Sequence, residues 1–158
     1  MSSAAPARAQ EPGAFVSAVL KGVALDPTTY APTVVAWGAT RLDWQSSQTF
    51  FQHGWAEQNP RFTVSGFTGD TPISYGQGNH QIMMDGFVNL RFSAVHNLSE
   101  RAVERLLVSK YPDHRTLLRV IGWIERTAMA SYWTYRRSAV HFRQWTTNGR
   151  EAERLGYK

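Results

Sequence analysis

Mostly apolar residues in the last third of the chain recur at alternating steps of four and three, the spacing of one face of an α-helix. The members of this set, which we call the 117–142 stripe, are Leu117, Ile121, Ile124, Ala128, Ser131, Tyr135, Ala139 and Phe142. The spacing predicts a helix over about 113–147, with Asp113 as its N-cap and Asn148-Gly149 as its end. Because such a stripe is typical of helix–helix packing, we expect it to face the interior of a bundle.

Aromatic residues form a similar pattern earlier in the chain. A helix is predicted over about 33–54, and the residues that share one of its faces are Trp37, Trp44, Phe51 and Trp55. Their steps of seven and four bring them to one side at ~100° per residue. This is more aromatic surface than a small bundle needs for one core face, so we expect it to bind a partner.

A third helix is predicted over about 80–108. Its apolar face carries Met84, Phe87, Ala94, Leu98, Ala102 and Leu106, and a polar line carries Asp85, Asn89, Ser93, His96, Glu100 and Glu104. Asn97 and Glu100 have the spacing of a capping box. We therefore expect the helix to break and restart near residue 97.

Together these segments predict a mainly α-helical fold, a bundle of three principal helices with a short N-terminal helix over 14–24. Pro27 and Pro32 are expected to stop the short helix. Frequent Gly, Pro, Asn and Asp residues predict one long irregular connection at about 56–79. The expected divisions of the chain are a flexible tail at 1–13, a single helical domain at 14–149 and a C-terminal tail at 150–158.

The charge of the chain limits the possible classes of binding partner only in part. Its 158 residues carry 17 Lys+Arg against 12 Asp+Glu, a formal charge of +5. Fourteen of the basic residues are Arg, which suits planar and stacking contacts. With no Cys there is no disulfide or zinc–thiolate site. No apolar window is long enough to predict a membrane-spanning helix.

The N-terminal residues bear on localisation. Ala7-Arg8-Ala9, followed by Gln10, has the small-x-small form of a signal-peptidase site, but the residues before it lack an apolar core. We expect an exported protein, periplasmic or secreted, whose residues 1–13 hold a signal-peptide remnant. A cytoplasmic protein with an Ala-rich tail is the alternative.

No nucleotide-binding loop, catalytic triad or HExxH metal motif occurs, so we predict no cofactor and no metal and favour a protein that is not an enzyme. Glu125 stands at the edge of the 117–142 stripe, where a carboxylate needs a partner or its pKa rises. An Arg partner is the simplest expectation. The alternative is a catalytic or ligand-binding pocket around Glu125, with Tyr132, His96 and Glu100 as companions. A metal site built from separate helices by His96, Glu100 and Glu125 stays open as well.

A basic band is predicted on the outer side of the last helix. It consists of Arg115, Arg119, Arg126 and Arg137, with Trp133 beside it. Trp and Arg are enriched where proteins bind each other. We therefore predict a non-catalytic interaction or structural subunit that docks on a protein or membrane-associated assembly through its Trp-rich and Arg/Trp faces.

The expected partner is another protein or a second copy of the chain, with an anionic membrane surface as a further option. One alternative is a small-molecule binder with the pocket around Glu125. The other is a protein that binds a polyanion or nucleic acid along Arg115–Arg137. Only the positive charge of the chain supports this alternative.

Overall fold

The computed structural model describes residues 12–157, which form a bundle of α-helices. Their bounds are α1 (Pro12–Ala24), α2 (Pro27–Gln52), α3 (Tyr75–Lys110) and α4 (Arg115–Leu155). Helix α2 packs against both α3 and α4, and α1 packs against α3. The predicted mainly α-helical bundle, with three principal helices and a short N-terminal one, is confirmed. The expected signal-peptide remnant lies almost wholly outside the described residues.

The junction between α1 and α2 is only two residues long. Asp26 caps α2 by accepting a hydrogen bond from the Thr28 backbone N–H at 3.1 Å, and Pro27 occupies the first helical position, where no N–H is needed. Pro32 lies inside α2 and is buried. The expectation that Pro32 stops a helix was therefore wrong, because α2 already begins at Pro27.

Helix α3 begins earlier than expected and does not break. Ser74 and Gln77 form the capping box, so residues 75–79, expected to belong to the irregular connection, form the start of the helix. The break predicted near residue 97 is absent, because the Asn97 side chain does not cap its own helix. Its amide donates hydrogen bonds to the hydroxyls of Thr28 and Thr29 on α2 at 2.9 and 2.8 Å.

Helix α4 is longer than the sequence indicated. A 3₁₀ turn over Pro112–His114 precedes it, so Asp113 is not its N-cap. It continues through Asn148 because that side chain is buried and donates to the hydroxyls of Ser46 and Ser47 on α2. The helix ends at Gly156, whose φ of 70° lies in the left-handed region. Residues 150–155, expected to be tail, are therefore helical.

The connection between α2 and α3 is irregular, as predicted, but it supplies part of the core. Two isolated bridges, Glu57 with Asp70 and Thr63 with Pro72, hold it in a folded loop. The loop presents Phe62 to the main apolar cluster, where it joins Trp44, Ile82 and the partly buried Phe51 and Ile73. Trp44 and Phe62 are 5.0 Å apart between ring centroids.

The two long helices face the opposite way from the prediction. Most of the 117–142 stripe is exposed, including Leu117 at 58%, Ile121 and Ile124 at 53% and Tyr135 at 67%. The buried positions of α4 are Arg126, Ser138 and Asn148. On α3 the predicted apolar face exposes Met84, Phe87, Leu98 and Leu106. The expectation that the stripe forms the bundle core was wrong, because polar contacts occupy that interior.

Gly78 tests the contact between α2 and α3. A Cβ at this position would overlap the Trp44 indole ring. We expect Gly78→Ala to lower the free energy of unfolding by about 1–3 kcal/mol, the usual effect of overpacking. Urea unfolding followed by circular dichroism measures the change.

Gly76→Ala is the matched control, since a Cβ there meets no atom within 4 Å and the residue lies in the same helical turn. It should be neutral or stabilising by up to about 1 kcal/mol. Equal stability of the two variants would show that α3 does not approach Trp44 this closely.

Candidate functional site

A cluster of four charged residues lies where α1–α2, α3 and α4 meet. The Asp26 carboxylate accepts hydrogen bonds from Arg101 at 2.6 Å and from Arg126 at 3.2 Å, and Arg126 also donates to Glu104 at 2.6 Å. The side chain of Arg126 is only 4% exposed and that of Asp26 only 7%. We call Asp26, Arg101, Glu104 and Arg126 the charge cluster. Its two positive and two negative groups balance, as buried charges must.

Hydrogen bonds keep Asp26 ionised in this setting. Burial alone would raise the pKa of the Asp26 carboxyl, but hydrogen bonds from Thr28 and Arg101 outweigh burial and place the pKa below its usual value. Asp26 is therefore ionised at neutral pH.

Next to the charge cluster, three of the four sequence-predicted catalytic candidates come together. One ligand atom from each of His96, Glu100 and Glu125 lies within 4.8 Å of the other two. All three residues are half-buried, and Nε2 of His96 lies 3.3 Å from Oε1 of Glu125. Burial raises the pKa of the Glu125 carboxyl, and the nearby carboxyl of Glu100 raises it further. We call these three residues the histidine–carboxylate group.

Tyr132, the fourth candidate, does not join this group. Its ring is exposed and lies against Trp133, 5.4 Å between centroids, in an edge-on arrangement. Neither of the two cavities described for the bundle is lined by Glu125. The structure thus brings the histidine and the two carboxylates together without placing them in a closed pocket.

The larger cavity lies elsewhere, between α2, α4 and the loop that follows α2. We call it the α2/α4 cavity; its volume is about 560 Å³. On its wall, Nδ1 of His141 lies 2.8 Å from Oδ2 of Asp43. Glu57 also lines it, and burial raises the pKa of the Glu57 carboxyl despite hydrogen bonds from the backbone of Asn59 and Gln58.

The predicted aromatic face divides between core and surface. Trp44 is buried and Phe51 is half-buried against it, so neither offers a large area to a partner. Trp37 is partly exposed and lies beneath the guanidinium of Arg41 at 5.2 Å. Trp55 stands beyond the end of α2 and donates a hydrogen bond to the Tyr157 hydroxyl at 3.2 Å.

The predicted basic band divides in the same way. Arg115 and Arg119 are exposed, whereas Arg126 belongs to the buried charge cluster. The guanidinium of Arg137 lies over the Trp133 ring at 5.2 Å and over the Phe92 ring at 5.9 Å. Only part of the band is therefore available to a polyanion.

Sequence reasoning missed the residues that organise the interior. It assigned no role to Asp26 and interpreted Asn97 as a cap. The signal that could have revealed them is the polar line on α3, in which His96, Glu100 and Glu104 recur every four residues. In the structure that line turns toward the other helices. Its spacing marks an inner face as clearly as an apolar stripe does.

Comparison with protein-family models, with curated proteins and with solved structures finds no match for this chain. Within residues 12–157, none of the helices has an apolar stretch long enough to cross a membrane.

Asp26→Asn tests the charge cluster. The substitution leaves two arginines without their shared carboxylate, and removing one partner of a buried ion pair costs about 3–5 kcal/mol. Because the folded-state pKa of Asp26 is lowered, its contribution is present above the unfolded pKa of about 3.9 and is lost as the pH falls through the folded value. Urea unfolding at pH 7 and at several values between 5 and 3 measures both effects.

Asp113→Asn is the matched control, because Asp113 is exposed and forms no salt bridge among the described residues. It should leave stability at pH 7 nearly unchanged. If the difference in stability between the wild type and Asp26→Asn stays constant down to pH 3, Asp26 is not stabilised in its ionised form by the fold.

Proposed function

We propose that this protein is a non-catalytic interaction subunit that binds another polypeptide through the outward apolar face of α4. The observation that carries the proposal is the reversed packing of this helix. Its buried positions are polar or charged, while most of the 117–142 stripe is exposed. Scattered exposed apolar residues are ordinary, but a continuous apolar surface marks an interface.

The stripe is continuous because its members lie three or four residues apart. Such neighbours stand one above another on a helix, and residues 117–142 extend over about 38 Å at 1.5 Å per residue. A surface of this length and spacing matches the side of a second helix. It is therefore suited to helical packing along much of α4.

Small residues favour a protein helix as the occupant. Ala128, Ser131 and Ala139 lie in the middle and second half of the stripe, where they let another backbone approach closely. Exposed Arg136 and Arg143 lie on the same helix. An apolar centre beside polar, charged residues is the composition of a protein–protein interface.

The exposed tryptophans of α4 are not members of the stripe, but they favour a protein partner in general. Trp123 is well exposed on α4, and Trp133 is partly exposed beside Arg137. Trp and Arg are the residues that most often dominate binding energy at protein interfaces. We take the partner to be a helical protein surface, either on a different protein or on a second copy of this chain.

A substitution in the stripe tests this proposal. Ile124→Lys places a charge in the centre of the stripe and should abolish the complex, because an unpaired charge would be buried there. Native mass spectrometry of the untagged protein, isolated gently from its own source, measures the complex. We expect the wild type in a stoichiometric complex and the variant as a folded monomer.

Val16→Lys is the matched control, since Val16 on α1 and Ile124 are equally exposed at 53%. It should leave the complex intact. A wild-type protein that is a monomer in its native extract, or that is recovered only with anionic vesicles, would overturn the proposal. The second result would favour a membrane surface.

A second candidate function is the binding of a small organic cation, favoured by the α2/α4 cavity. Its volume of about 560 Å³ lies within the usual range for ligand sites. Asp43, Glu57 and Glu151 line it together with several aromatic rings, and none of the described residues that line it is Arg or Lys. Carboxylates beside aromatic faces are the groups that attract an ammonium ion.

Phenethylamine and its neutral analogue phenethyl alcohol are suitable probes for isothermal calorimetry. We expect the amine to bind and the alcohol not to, and Glu57→Gln to weaken amine binding by at least about tenfold, or ~1.4 kcal/mol. Glu153→Gln, an exposed residue outside the cavity, should bind like the wild type. Equal binding of amine and alcohol would exclude charge recognition.

A further inference from the structure

The histidine–carboxylate group has the spacing of a set of metal ligands. His96 and Glu100 are four residues apart on α3, so their side chains stand on one face, and Glu125 approaches from α4. Ligands bound at about 2.1 Å to one metal lie about 3.0–4.2 Å from each other. The ligand atoms here lie within 4.8 Å of one another, so a small side-chain movement would close the shell.

Two atoms of this group have unmet bonding capacity. Nε2 of His96 and Oε2 of Glu125 are shielded from solvent and have no hydrogen-bond partner, although Nε2 lies 3.3 Å from the other oxygen of Glu125. Buried polar atoms without a partner are uncommon in folded proteins, and an ion at the site is one explanation for them. Both atoms belong to side chains of the histidine–carboxylate group, so both could bind the same ion.

Within residues 12–157, neither carboxylate forms a salt bridge with an arginine or a lysine. Among the salt bridges of residues 12–157, Glu125 pairs only with His96, and Glu100 takes part in none. The arginines that follow them in the sequence, Arg101 and Arg126, are engaged by Asp26 and Glu104. Two carboxylates that close repel each other unless a proton or a cation lies between them.

We infer that His96, Glu100 and Glu125 bind a divalent transition-metal ion. An imidazole nitrogen with two carboxylate oxygens suits Zn²⁺, Mn²⁺, Fe²⁺ or Co²⁺ better than Mg²⁺ or Ca²⁺, which prefer oxygen ligands alone. Three protein ligands leave coordination positions for water or another molecule. The sequence motifs predicted no metal, because the third ligand comes from a different helix.

The bound ion would join α3 to α4. Both helices carry outward apolar residues, and the contacts between them are fewer than those that either makes with α2. A metal shared by the two helices would hold them at a constant separation. This inference does not depend on the proposed docking function, since Glu125 lies beside the stripe and is not a member of it.

Metal binding by the untagged, chelator-treated protein tests the inference. Zn²⁺ titrated in a calorimeter should bind at one site per chain, and Co²⁺ should give visible absorption bands. Glu100→Gln/Glu125→Gln and His96→Ala should each weaken Zn²⁺ binding by at least about tenfold. His114→Ala and His80→Ala, which remove exposed histidines outside the group, should not change it.

Thermal unfolding without metal separates lost binding from lost folding. The double glutamine variant removes the repulsion between two carboxylates, so it should be at least as stable as the metal-free wild type while its Zn²⁺-induced rise in Tm disappears. A wild type that binds none of Zn²⁺, Mn²⁺ and Co²⁺ would overturn the inference, and a shared proton would then explain the group. Binding that survives in both ligand variants would overturn it as well.

Discussion

The ion pair between Asp26 and Arg126 is the constraint on which the arrangement of the helices depends. Both side chains are almost fully buried, and neither could be buried without a partner of opposite charge. A buried ion pair adds little net stability, but an arrangement that separates its members is heavily disfavoured. The pair therefore selects the rotation of α4 rather than strengthening the bundle. Once Arg126 points inward, Ile124 and Tyr135 must point outward.

This rotation leaves a small apolar core and a large apolar surface. The main buried cluster consists of Trp44, Phe62 and Ile82, at the end of the bundle near the α2–α3 loop. Around the adjoining α2/α4 cavity, α4 is held to α2 by polar contacts such as His141 with Asp43 and Asn148 with Ser46. A partner that covers the exposed apolar face of α4 would stabilise the fold, because a molecule that binds only the folded state shifts the folding equilibrium toward it.

The sequence predicted where the helices lie far better than which way they face. Periodicity marks the two sides of an amphipathic helix, but it assigns the inner side by assuming that apolar residues are buried. On α4 that assumption failed, since Arg126 finds its partner in Asp26, 100 residues away. The prediction for Asn97 was wrong for a similar reason. A cap is a contact between neighbours in the sequence, whereas the partners of Asn97 are Thr28 and Thr29 on another helix. Local spacing can show that a polar line faces the interior, but it does not identify the distant residue with which each side chain pairs.

The charge cluster and the histidine–carboxylate group are linked by a repeated dipeptide. Glu100-Arg101 on α3 and Glu125-Arg126 on α4 each place an arginine in the charge cluster and a glutamate in the neighbouring group. Adjacent helical residues point about 100° apart, so the direction of one side chain determines that of the next. Because Asp26 fixes both arginines through hydrogen bonds, both glutamates are oriented toward His96. The buried ion pairs would thus support the proposed metal ligands from outside, as hydrogen-bonded neighbours do in metal sites.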